Sequence, residues 1–188
     1  MNNKFALYVS QWSVILMPIL LISGPFLADF FLSLSSLFFL VYLFQNKILK
    51  YFNKKPLIIF FIFCIFIILV SIFRAEDVLM SFESSLFYFR IGVFACLVWY
   101  LIEQNKNILN YFYYSLSICF LILVIDGYYQ FFNGSNIFGF KAQGVRIASF
   151  FGDELILGSY LSRLFPILFA LFLIKKKTKY DDYFVVIF

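Results

Sequence analysis

Long apolar runs alternate with short polar segments along the whole chain. A bilayer core of about 30 Å needs about 20 helical residues, because each residue adds about 1.5 Å to the helix axis. Six runs are long enough to cross it, at residues 8–24, 27–44, 57–73, 84–102, 108–126 and 154–174. The pattern predicts an all-α fold, a polytopic transmembrane helix bundle with six complete spans.

A further apolar run begins at Tyr183 and continues to the last residue of the sequence. Six residues cannot cross a bilayer, so we expect a truncated seventh span. On this interpretation residues 1–188 form a single integral membrane domain, the amino-terminal part of a longer protein. A cleaved signal peptide is the alternative for the first run, but Pro18 and Pro25 suit cleavage poorly and a second span follows at once.

The composition supports a membrane protein. Hydrophobic residues make up 64% of the chain and charged residues 13%, whereas soluble domains have roughly 45–50% and about 25%. Thirty phenylalanines are too many for the core of a soluble domain of this size. The net charge of +5 is confined to short segments between the apolar runs, which argues against disorder and against nucleic-acid binding.

The basic residues predict an orientation, because cytoplasmic loops carry an excess of Lys and Arg. With the amino terminus inside, the inner segments hold ten basic residues and the outer loops hold three: Lys4, Lys47, Lys50, Lys54, Lys55, Lys106, Lys175, Lys176, Lys177 and Lys179 against Arg74, Lys141 and Arg146. We therefore expect a cytoplasmic amino terminus. Residues 127–153 then form the longest outward loop.

Two arginines, Arg90 and Arg163, lie inside predicted spans. Each costs about 2.5–3.5 kcal/mol at the centre of a membrane helix unless it is paired or faces water. We therefore expect both to face the interior of the bundle.

The sixth run has two contrasting faces at helical spacing. Ser159, Arg163 and Pro166 continue a face that starts at Gly152 and Ile156, and this face is predicted to pack inside the bundle. The other face is predicted to contact lipid and consists of Leu155, Leu157, Leu161, Leu164 and Leu168. The alternative is a simple packing face, with Arg163 snorkelling outward or paired to a carboxylate.

Few residues suggest a cofactor or metal. The chain has no histidine, the commonest metal ligand, and no glycine-rich nucleotide loop. The three cysteines lie alone in separate apolar runs and are interpreted as small core residues. Asp126, at the outer end of the fifth run, is either the partner of an arginine or a helix-end carboxylate. We expect no cofactor.

Residues 126–166 carry a recognisable pattern. They read Asp126, Gly127, Tyr128, Tyr129 and Gln130, then Gly134, Ile137, Phe138 and Gly139, then Arg146 to Leu155, and then Gly158 to Pro166. This stretch resembles the O-antigen polymerase and ligase superfamily, bacterial membrane glycosyltransferases that use undecaprenyl-diphosphate-linked sugars. The resemblance implies a protein of lipopolysaccharide biosynthesis that transfers a glycan to a growing O-antigen chain or to lipid A core. It also implies that the membrane is the bacterial inner membrane and that the 127–153 loop is periplasmic.

The resemblance also suggests roles for particular residues. Arg146 is the first candidate for contact with the substrate diphosphate, followed by Arg163 and Arg90, because guanidinium groups bind phosphate in a bidentate manner. Asp153 and Glu154 are candidates for a catalytic or substrate-binding role, with capping of the sixth helix as the alternative. The expected partners are an undecaprenyl-diphosphate-linked glycan, membrane lipids and other polysaccharide-assembly proteins.

The chain also departs from the family. Its members have about twice as many spans and a later periplasmic loop with further functional residues, so we expect this fragment to be inactive alone. Two other classes of function remain. A flippase-like transporter should show internal repeats, and the two halves of the sequence do not. A membrane scaffold would need only packing faces and could replace Arg146 without loss.

Overall fold

The computed structural model describes residues 3–46, 52–74, 77–142, 146–152 and 154–175. These residues form helices and contain no β-strand: α1 (Asn3–Ile22), α2 (Pro25–Asn46), α3 (Lys55–Arg74), α4 (Val78–Phe87), α5 (Phe89–Gln104), α6 (Asn107–Asn133) and α7 (Leu157–Ile174). Within them, six segments are long and apolar enough to cross a membrane, with α4 and α5 together forming one. The predicted all-α membrane bundle is confirmed, and the chain is a multi-pass membrane protein. The predicted seventh span lies outside the described residues.

Helix α6 differs most from its predicted bounds. It continues to Asn133, seven residues beyond the predicted end at Asp126. Its 27 residues give a length of about 40 Å, which exceeds a hydrocarbon core of about 30 Å. The helix is therefore about 10 Å longer than such a core, so it must tilt or extend beyond the core at one end or both. The connection to α7 begins only at Gly134, so the first seven residues of the predicted 127–153 loop are helical.

The chain divides into two compact units. The first contains Met1–Val14 and Asp29–Lys106, and the second contains Ile15–Ala28 and Asn107–Phe188.

Within the first unit, α3 and α5 approach closely at Gly92. A Cβ atom at this position would lie 2.8 Å from ring atoms of Phe60 and Phe61, so a larger side chain would force the rings to move. Val93, Cys96 and Leu97 follow Gly92 on α5 and are fully buried. The missing side chain of Gly92 thus allows the close packing of this part of the bundle.

Arg90 is paired inside the first unit. Its Nη2 atom lies 2.5 Å from a carboxyl oxygen of Asp29, and its Nη1 donates to the Ser33 hydroxyl at 2.9 Å. The guanidinium also lies 5.5 Å from the centre of the Phe87 ring. Arg90 was predicted to face the interior of the bundle. It is only half-buried, but it contacts another helix, because its partners Asp29 and Ser33 lie on α2.

The second unit has an apolar core between α6 and α7. Tyr113, Leu116 and Phe120 of α6 are buried against Leu168, Leu171 and Phe172 of α7, with Leu161 and Leu164 packed beside them. At the other end of α7, the Tyr160 hydroxyl donates to the Pro18 carbonyl of α1 at 2.7 Å. These contacts connect three helices within this unit.

The predicted faces of α7 are wrong. Leu161, Leu164 and Leu168 pack against α6 instead of facing lipid, whereas Ser159 and Arg163 are exposed. Gly152 and Ile156 precede α7 and do not belong to a helical face. The physical reason is that leucine side chains fill the space beside the rings of α6, so hydrophobic packing determined the orientation of the helix.

We expect the Arg90 and Asp29 substitutions to be energetically coupled. Asp29→Asn and Arg90→Gln should each lower the free energy of unfolding. The decrease in the double variant should be smaller than the sum of the two single decreases by about 1 kcal/mol, the coupling energy of a partly exposed ion pair. Unfolding by SDS in mixed micelles measures all three. Glu83→Gln is the control, since Glu83 is exposed on α4; its effect should add to that of Arg90→Gln within about 0.5 kcal/mol. If the effects of Asp29→Asn and Arg90→Gln also add within about 0.5 kcal/mol, the expected coupling is contradicted.

Candidate functional site

The connection between α6 and α7 is an ordered loop in the second unit. It turns back on itself through a bridge between Ser135 and Lys141. Gly134 and Gly139 adopt φ angles of +75° and +87°, which favour glycine. A short 3-10 turn at Ser149–Phe151 follows. Residues 134–152, apart from 143–145, are thus held in a defined conformation, and we call them the α6–α7 loop.

Gln130, in the last turns of α6, binds the loop at two places. Its Oε1 atom accepts hydrogen bonds from the backbone N–H groups of Ala148 at 3.1 Å and Ser149 at 2.7 Å. Its Nε2 donates to the Phe140 carbonyl at 3.0 Å. Gln130 is fully buried, so one side chain satisfies three backbone groups that water does not reach.

Asn136 makes a second set of bonds inside the loop. Its Oδ1 accepts from the N–H groups of Phe138 at 3.0 Å and Phe140 at 2.8 Å, and its Nδ2 donates to the Ser149 carbonyl at 2.9 Å. The side chain is buried. Asn136 therefore connects the first half of the loop to the second.

Ser149 lies at the centre of these contacts. Its hydroxyl donates to Asp126 Oδ2 at 2.5 Å, and the other carboxyl oxygen of Asp126 accepts from the Ile137 N–H at 3.2 Å. Ser149 adopts a φ of +54°, the only positive value at a non-glycine residue among the described parts of the chain. This left-handed conformation costs roughly 1–2 kcal/mol, and hydrogen bonds to its N–H, carbonyl and hydroxyl groups stabilise it.

Both interpretations of Asp126 were wrong. The residue does not lie at the end of a helix, because α6 continues to Asn133. Its side chain binds a hydroxyl and a backbone N–H instead of an arginine. We call Asp126, Gln130, Asn136 and Ser149 the buried polar network. All four side chains have at most 3% relative exposure.

A cavity of about 430 Å³ lies beside the loop, within the second unit. Its walls come from the α1–α2 turn, the loop and the start of α7: Leu21, Ile22, Ser23, Gly24, Pro25, Phe140, Phe150, Phe151, Gly152, Glu154, Ile156 and Tyr160. Four of these residues are aromatic, and Glu154 supplies a carboxylate. The volume lies within the range of about 300–1,000 Å³ that is typical of small-molecule sites.

Glu154 does not cap α7. The helix begins at Leu157 after Ile156, with no capping hydrogen bond from a side chain. The backbone of Glu154 is fixed, since its N–H donates to the Phe151 carbonyl at 3.2 Å and its carbonyl accepts from Ile156 at 2.9 Å. The capping alternative is therefore not supported for Glu154, whose carboxylate lines the cavity. Asp153 lies outside the described residues.

The predicted diphosphate ligands lie in different surroundings. Arg146 is exposed in the loop and Arg163 is exposed on α7, both in the second unit. Neither forms a hydrogen bond or an ion pair within the described parts of the chain. Arg90 belongs to the first unit and is paired with Asp29. The role of each arginine toward a diphosphate stays a prediction.

Sequence reasoning missed three members of the network as site residues: Gln130, Asn136 and Ser149. Asp126 and Gln130 are four residues apart and so share one helical face. Two polar residues at this spacing, at the end of an apolar run, were a usable signal. Asn136 and Ser149 carried no such signal, because Ser149 meets Asn136 and the helix only after the loop folds.

The network should stabilise the loop measurably. Gln130→Leu leaves the buried N–H groups of Ala148 and Ser149 without a partner, and each such group costs about 1–3 kcal/mol. The Phe140 carbonyl keeps its bond from the Asn136 N–H. We expect the thermal midpoint of the detergent-solubilised protein to fall by several degrees. Asn133→Ala is the matched control, because Asn133 is exposed on the same helix and bonds only to the Tyr129 carbonyl one turn earlier. Equal midpoints for Gln130→Leu and the control would show that the loop does not depend on Gln130.

Comparison with models of known protein families, with curated proteins and with solved structures finds no match.

Proposed function

We propose that this multi-pass membrane protein acts as a glycosyltransferase of surface-polysaccharide assembly. It would bind a glycan linked to undecaprenyl diphosphate and would act in transfer of that glycan to an acceptor hydroxyl, on a growing O-antigen chain or on lipid A core. The resemblance of residues 126–166 to the O-antigen polymerase and ligase superfamily suggests this class.

One observation carries the proposal: the connection between two membrane-spanning helices is an ordered loop held by the buried polar network. The Arg146 guanidinium that this loop presents has no ion-pair partner within the described parts of the chain. A simple linker would need no buried polar network. Arg146 is exposed in this loop, while Gln130 and Asp126 hold the backbone on either side of it. Such preorganisation lowers the cost of binding a ligand.

The chemistry of the substrate fits an arginine at this place. In glycan transfer, the acceptor oxygen attacks the anomeric carbon, the bond from that carbon to the diphosphate oxygen breaks, and a base takes the acceptor proton. Negative charge then accumulates on the departing diphosphate. A bidentate guanidinium stabilises this charge better than an ammonium does. We assign that contact to Arg146, with Arg163 as a second cation in the same unit.

Arg90 is a weaker candidate for a diphosphate ligand, because it already forms an ion pair. A phosphate group would have to displace Asp29, which already neutralises the guanidinium. We therefore rank Arg90 last among the three arginines.

The proposal includes an orientation, with the amino terminus in the cytoplasm and the α6–α7 loop in the periplasm. A cysteine at Lys141 should react with a membrane-impermeant maleimide in intact cells after the outer membrane is permeabilised. A cysteine at Lys106, exposed between α5 and α6, should react only after lysis of the inner membrane. The background is low because Cys64, Cys96 and Cys119 are buried. If the cysteine at Lys106 reacts in intact cells and the one at Lys141 reacts only after lysis, the orientation is the opposite of the proposed one.

Substitution of Arg146 in the full-length gene tests the function. In a deletion strain complemented with variants, Arg146→Ala should abolish long polysaccharide chains, and Arg146→Lys should lower their yield by roughly 10- to 100-fold, because a lysine loses the bidentate contact. Gel electrophoresis of extracted lipopolysaccharide gives the chain-length ladder.

Lys141→Ala is the matched control, since it removes one positive charge from an exposed position in the same loop. Its ladder should be that of the wild type. A normal ladder for Arg146→Ala, with normal protein in the membrane, would remove the glycosyltransferase proposal. Accumulation of lipid-linked glycan inside the cell without any change in its polymerisation would instead favour a transporter.

A further inference from the structure

The cavity beside the α6–α7 loop has the features of a ligand site that the diphosphate contact does not use. Its volume of about 430 Å³ is walled by Phe140, Phe150, Phe151 and Tyr160, with the Glu154 carboxylate at its edge. The wall is formed by the loop, the first turn of α7 and the α1–α2 turn, all in the second unit. We propose that this cavity binds a sugar residue of the lipid-linked glycan, which deepens the proposed function and rests on it.

The aromatic walls suit one side of a sugar ring. A pyranose presents C–H groups on its faces and hydroxyl groups around its rim, so it can cover an aromatic ring while its rim remains hydrogen bonded. Phe140 is 42% exposed, so part of its ring is accessible to a ligand. Its backbone is held by Gln130 and Asn136, which fixes the point where the ring is attached.

The Glu154 carboxylate can bind the hydroxyl groups around the edge of a sugar ring. Glu154 is exposed and forms no hydrogen bond or ion pair with its side chain within the described ranges. A carboxylate has only acceptor atoms, so it can accept from two neighbouring sugar hydroxyls. Its backbone is fixed by bonds to Phe151 and Ile156, which limits the cost of ordering it on binding.

The same carboxylate and rings could instead attract an organic ammonium group through charge and cation–π contacts. The size of the cavity decides against this ligand, because an ammonium group would fill only a small part of about 430 Å³. A sugar residue uses both the volume and the aromatic area.

Two glycines, Gly24 and Gly152, shape other parts of the cavity wall. Gly152 adopts a φ of +65°, and a Cβ atom there would contact the Phe140 ring at 3.6 Å. Gly24, in the α1–α2 turn, adopts a φ of +116° with no atom within 4 Å of its Cβ position. At these two turns of the backbone, the wall of the cavity therefore carries no side chain.

Saturation-transfer-difference NMR on the full chain in lipid nanodiscs tests the proposal, with free N-acetylglucosamine and galactose as probes. We expect saturation transfer to the ring protons of at least one probe. Phe140→Ala should weaken binding by about 2- to 10-fold, and Phe140→Tyr should restore it. Glu154→Gln should weaken binding by about tenfold.

Two matched controls separate the cavity from general surface effects. Phe132→Ala removes an exposed ring from α6, and Glu83→Gln removes an exposed carboxylate from α4; neither residue lines the cavity. Both should bind like the wild type. No transfer to either saccharide, or equal transfer in all variants, would overturn the proposal. Binding of tetramethylammonium that is lost with Glu154→Gln, without saccharide binding, would also overturn it in favour of an ammonium site.

The saccharide-binding test and the polysaccharide-ladder test can succeed or fail independently of each other. If Arg146 variants shorten the polysaccharide ladder while the cavity variants bind saccharide like the wild type, the glycosyltransferase proposal survives and the sugar site fails. If the cavity binds saccharide but Arg146→Ala leaves the ladder normal, the sugar site survives and the glycosyltransferase proposal fails.

Discussion

Gln130 provides the constraint on which the candidate site depends. At the end of a membrane helix, backbone groups of a loop must be hydrogen bonded by the protein wherever water does not reach them. Gln130 binds two N–H groups of one loop segment and a carbonyl of another. The loop positions of Phe140 and Ser149 follow from these bonds, and so do those of their neighbours in the cavity wall. A helix that ended at Asp126, as predicted, would have no residue in this place.

The charged groups of the two units serve different purposes. In the first unit, Arg90 and Asp29 neutralise each other between helices, which lowers the cost of both charges in an apolar bundle. In the second unit, Arg146 and Glu154 have no ion-pair partner among the described residues, and both are exposed. Exposed charges without a partner add little to stability, and both groups are accessible to a ligand.

The sequence predicted the spans well because hydropathy alone determines them, and the six runs all correspond to membrane-length helical segments. It failed where tertiary packing decides. The leucine face of α7 packs against the rings of α6, and periodicity cannot distinguish such a face from one that contacts lipid, since both are apolar. Arg146 and Glu154 were proposed from residue type and a resemblance, and their roles stay predictions. Asn136 and Ser149 carried no signal, because the bond that joins them spans 13 residues and the bond from Ser149 to Asp126 spans 23.

The reversed face of α7 raises the question of how Arg163 is accommodated in a bilayer. Arg163 is the sixth residue after Leu157, which places it about 9 Å along the axis from the start of the helix. Helical side chains lean toward the amino-terminal end, so its long side chain can snorkel toward the interface at that end. The start of α7 is also where Glu154 lines the cavity. Snorkelling thus lowers the cost of Arg163 and at the same time brings its charge toward the end of α7 that lines the cavity.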